Sequence, residues 1–97
     1  MRETINKLRN ENRKDVMELG NNSKRMNEII DRKMVIQRMI GVAIAPWDMV
    51  RNNEYDTIVE MYKELTAEFN YLTAQEKVII DRISEREKQI EEMELVS

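Results

Sequence analysis

Apolar residues return at alternating intervals of three and four along almost the whole of this chain. That period fits helices packed lengthwise against other helices and little else. In the first half the seam runs through Ile5, Leu8, Asn12, Asp15, Leu19, Asn22, Met26, Ile29, Lys33, Ile36, Ile40 and Ala43, with Val16 and Ile30 widening it. In the second half it runs through Tyr55, Ile58, Tyr62, Leu65, Phe69, Leu72, Glu76, Ile79, Ile83, Arg86, Ile90 and Met93. Val59, Met61 and Ile80 broaden that second stripe towards the wider face a bundle needs. Polar residues interrupt the first seam at Asn12, Asp15, Asn22 and Lys33, so its first third reads as loosely covered. Only Glu76 and Arg86 interrupt the second.

Between the two patterns lies Met34 to Val50, an apolar stretch holding Gly41, the single proline Pro46 and the single tryptophan Trp47. Glycine suits a helix C-cap and proline the first helical turn, so this stretch reads as the tip of a hairpin. The expected organisation is one helical domain over 1–97. A helix over 2–41 is followed by a turn at 42–45 and a second helix over 46–95. Breaks are candidates at 20–23, where Gly20 precedes Asn22 and Ser23, and at 72–73, where Thr73 to Glu76 reads as a capping box. The fold class is therefore all-α, a long antiparallel hairpin of coiled-coil character. Two elongated helices cannot cover both stripes alone, so the core is expected to be completed by dimerisation into a four-helix bundle.

Counting outwards from a turn near Ile44 sets Arg2 opposite Glu85 and Glu87, and Arg13 opposite Glu76. It leaves the acidic segment Glu91 to Ser97 overhanging. Residues 1–40 carry ten Lys/Arg against six Asp/Glu, a net of +4, whereas residues 41–97 carry six against thirteen, a net of −7. Arg2, Arg9 and Arg13 flank the first seam, and Glu87, Glu91 and Glu94 flank the second, which is the charge pattern of two helices lying side by side.

The chain has neither cysteine nor histidine. Disulfides, thiolate chemistry, the commonest general base and the commonest transition-metal ligand are thereby excluded. Two glycines, at 20 and 41, cannot build a phosphate-binding loop. No cofactor is expected, and no small-molecule substrate is evident. Met1 to Leu19 holds no apolar core of a signal peptide, and the tip is too short and too charged to span a bilayer, which points to a cytoplasmic protein.

The expected function is that of a small non-enzymatic protein-binding factor, an adaptor, chaperone or inhibitor, of the kind phages and bacteria use as accessory proteins. Its partners are a second copy of itself and another protein. The contact residues are Met34, Met39, Ile40, Ile44, Trp47 and Met49, because methionine offers adaptable apolar surface and tryptophan is enriched at binding hot spots. The alternative is a nucleic-acid-associated regulator using the basic residues Arg2, Lys7, Arg9, Arg13 and Lys14. Interleaved Glu3, Glu11 and Asp15, and the lack of a neighbouring aromatic, argue against it. A helical-bundle enzyme binding a dicarboxylate through Arg9, Arg25, Lys33 and Arg38 ranks third.

Overall fold

A computed structural model describes residues 2–42 and 53–96, and all of them lie in two α-helices packed as a hairpin. Helix α1 is Arg2–Val42 and helix α2 is Asn53–Val96; among the described residues there is no strand. The turn expected at 42–45 and the helix start expected at Pro46 lie at or beyond the edge of the described residues.

Both helices run through the two candidate break sites. Gly20–Ser23 is helical, and no described residue has a positive φ, so Gly20 does not act as a left-handed cap. Thr73 to Glu76 lies inside α2. The physical reason is common to both places: the three-four period keeps its phase across them, so continuing the helix keeps the seam intact.

The chain divides into two compact units. One joins Met1–Ser23 to Thr73–Ser97, and the other is Lys24–Leu72. In the first unit Ile79 is fully buried, Ile5 and Ile90 nearly so, and Leu8, Leu19, Ile83 and Met93 are half-buried between the helices. In the second unit Ile29 is fully buried and Ile36 nearly so, with Met26, Ile58, Leu65, Phe69 and Leu72 half-buried. Removing an isoleucine side chain of this kind from water contributes about 1.5–3 kcal/mol. Every seam residue whose side chain is described, polar ones included, is buried or half-buried. Of the residues that widen the stripes, Val59 is half-buried, whereas Val16, Ile30, Met61 and Ile80 are exposed.

Within the first unit the helices are antiparallel, but their register differs from the one counted from Ile44. Arg9 pairs with Glu94, and Asp15 pairs with Arg82 and Arg86. Arg2 opposite Glu85, and Arg13 opposite Glu76, are therefore wrong by several turns of α2. The acidic segment does not overhang as far as Glu94: Met93 is half-buried and Glu94 is paired with Arg9, while Leu95 and Val96 are exposed. The pairs between the helices mark this register, and a count from the middle of the sequence cannot see them. The first third of α1 is also better covered than its polar seam suggested, since Asp15 itself is buried.

Candidate interaction surface

Three of the side chains that interrupt the apolar seams, Asn12, Asp15 and Arg86, meet one another. In the first unit the Arg86 guanidinium donates to Asp15 Oδ2 and, at 3.4 Å, to Asn12 Oδ1, while its Nε lies 3.3 Å from Glu11 Oε2. Arg82 donates to the other Asp15 oxygen at 3.0 Å and stands 3.8 Å from Glu18. A buried carboxylate without partners is costly, and here both of its oxygens are bound. No buried side-chain nitrogen or oxygen among the described residues lacks a hydrogen bond.

The second unit solves the same problem differently. Lys33 occupies a seam position, and its ammonium sits 4.7 Å from the centre of the Tyr62 ring, a cation–π arrangement. Gln37 donates to the Tyr62 hydroxyl at 3.0 Å. Arg25 grips Glu68 with two nitrogens, Nε at 2.9 Å and Nη2 at 2.8 Å, and also reaches Glu28 at 3.3 Å. The hydrogen bonds from Arg25 hold the Glu68 carboxyl below its ordinary range, against a smaller opposing effect of desolvation. Arg25 is raised in turn, by Glu68 first and more weakly by Glu28.

Beside these contacts runs apolar surface that the hairpin leaves uncovered. In the first unit a groove of about 700 Å³ lies along the flank where α1 and α2 meet. Arg9 and Arg13 of α1 edge one side, and Glu87, Glu91 and Glu94 of α2 edge the other. Val16 and Met17, 55% and 70% exposed, contribute apolar surface beside Ile83 and Ile90. A smaller hollow of about 220 Å³ in the second unit is lined by Ile30, Met34 and Phe69 together with Lys33, Gln37 and Tyr62.

Of the residues expected to bind a partner, Met34 and Met39 are 46% and 51% exposed on α1. Ile40 belongs to α1, but its side chain lies outside the described set. Ile44, Trp47 and Met49 lie outside the described residues altogether. The basic residues Arg2, Lys7, Arg9, Arg13 and Lys14 are all exposed on α1. They do not share a face: at about 100° per residue, Lys7 and Lys14 fall on the opposite flank from Arg9 and Arg13. Arg9 is also engaged by Glu94. Sequence reasoning missed the groove as a unit, although it had placed both of its charged edges beside the seams.

No described helix is long and apolar enough to cross a membrane. No cluster of three or more acidic residues able to hold a metal ion occurs among the described residues. Compared with known proteins, the chain matches no family model, no curated protein and no solved structure.

Proposed function

We propose that this protein is a non-enzymatic binding factor of the cytoplasm, which pairs with a second copy as a four-helix bundle and presents helical surface to another protein. The observation that carries the reading is the set of large apolar side chains standing off the seam in water. Val16, Met17, Ile30, Met34, Val35 and Met39 are each more than two-fifths exposed on α1 alone. One neighbouring helix covers one stripe, and surface of this kind is used by soluble chains for association. Methionines at 34 and 39 suit a partner of irregular apolar shape, because the unbranched thioether adapts to what it meets. The Arg9–Glu94 pair and the acidic edge facing Arg13 favour a protein partner over nucleic acid, since those carboxylates repel phosphate.

The test compares affinity capture by the wild-type chain with capture by Met34→Glu/Met39→Glu. The reading predicts a host protein retained by the first and lost from the second, with circular dichroism showing the same helicity in both. Identical retention by the two baits would take the methionines out of the binding surface.

A further inference from the structure

The groove of the first unit has two edges of opposite sign, and this fixes more than the fact of association. We infer that its occupant is a second copy of this chain, docked about a two-fold axis parallel to the helices, so that α1 of each copy lies on α2 of the other. The inference rests on the self-association proposed above and adds to it the surface and the orientation.

Two same-face arrangements of a hairpin are available to a symmetric pair, because the two-fold must lie in the plane of the interface. With the axis across the helices, α1 faces the partner's α1. Arg9 and Arg13 then approach the partner's Arg9 and Arg13, and the three glutamates approach the partner's three. With the axis along the helices, each arginine edge faces the partner's Glu87, Glu91 and Glu94 at the same level of the bundle. The second arrangement satisfies four charged edges at once; the first sets every edge against its like. Apolar contact at Val16 and Met17 drives the association in both, so the charges decide between them. The same pattern argues for a second copy over an unrelated chain. A foreign partner would need its own basic and acidic rows at this separation, whereas this chain supplies both. The Arg9–Glu94 pair within one chain is no obstacle, because both side chains remain about half exposed and a carboxylate accepts from two guanidinium groups.

The absence of cysteine makes the orientation directly measurable. Ala74, Asp81 and Lys88 are exposed, spaced by seven residues along α2, and turned away from the groove by the helical period. Each is replaced singly, Ala74→Cys, Asp81→Cys and Lys88→Cys, spin-labelled, and the distance between copies is read by pulsed dipolar spectroscopy. An axis along the helices makes the two copies of α2 parallel, so the three distances should agree within a few ångströms. An axis across them makes the copies antiparallel, and the axial separation should then change by about 21 Å between successive positions. Distances that change in this way would overturn the orientation while leaving a dimer standing. A complete lack of dipolar coupling in helical protein, at all three positions, would overturn the self-association itself.

Discussion

Asp15 is a buried carboxylate on the apolar seam of α1, and it is tolerated because Arg82 and Arg86 bind its two oxygens. Asp15→Ala leaves two guanidinium groups facing a hole, but both retain access to water. The expected loss is therefore about 1–3 kcal/mol in urea unfolding, less than for a sealed ion pair. A change below about half a kcal/mol would show that the cluster is solvated in solution. Gly20 makes a prediction of opposite sign. It is helical and exposed, and a Cβ built on it meets nothing within 4 Å. Gly20→Ala should therefore stabilise the chain by about 0.5–1 kcal/mol, read as a rise in Tm. Glu68 governs an acid limb. Its carboxyl is held below the ordinary value of 4.5 by Arg25, so the unfolded chain binds the proton more readily than the folded one. The contribution of Glu68 is thus complete above 4.5 and disappears as the pH falls from there through the lowered value. Glu68→Gln should flatten the pH dependence of stability in that window, and an unaltered slope would remove Glu68 from the acid response.

At the scale of the helix, the apolar period was enough to identify every buried or half-buried seam position, because a three-four spacing leaves a single stripe that another helix can cover. Most of its broadening residues were misleading: Val16, Ile30, Met61 and Ile80 have the right chemistry but stay exposed, because one facing helix covers one stripe, and of the five only Val59 is half-buried. Register was the larger error. The polar interruptions carried the missing information, since Asp15 on one seam and Arg86 on the other are the opposite charges that demand each other. Aligning them fixes the pairing, whereas a turn placed by Gly41 and Pro46 only bounds it. If the cluster sets register more than strength, Asp15→Leu/Arg86→Leu should be as stable as the wild type or more stable by about 1–4 kcal/mol. The distance between spin labels at Asn10→Cys and Lys88→Cys should at the same time broaden. A distribution as narrow as in the parent would assign the register to the apolar residues alone.

For the molecule as a whole, the hairpin covers both seams among the described residues and leaves a charged-edged apolar groove in one unit and exposed methionines in the other. The groove was half legible: its arginine and glutamate edges follow from helical angles, but that they line one groove together with Val16 and Met17 follows only from the true register. Reversing one edge, Arg9→Glu/Arg13→Glu, should weaken association at low salt. Reversing the other as well, with Glu87→Lys/Glu91→Lys, should restore it, and the difference should fade as ionic strength rises and the Debye length falls below about 10 Å. Sedimentation equilibrium across a concentration series, recorded beside far-ultraviolet circular dichroism, tests the central claim most directly. Self-association through the uncovered flank predicts a helical species of twice the 11.7 kDa chain mass at micromolar concentration. A helical, cooperatively folded species at 11.7 kDa throughout the series would contradict it.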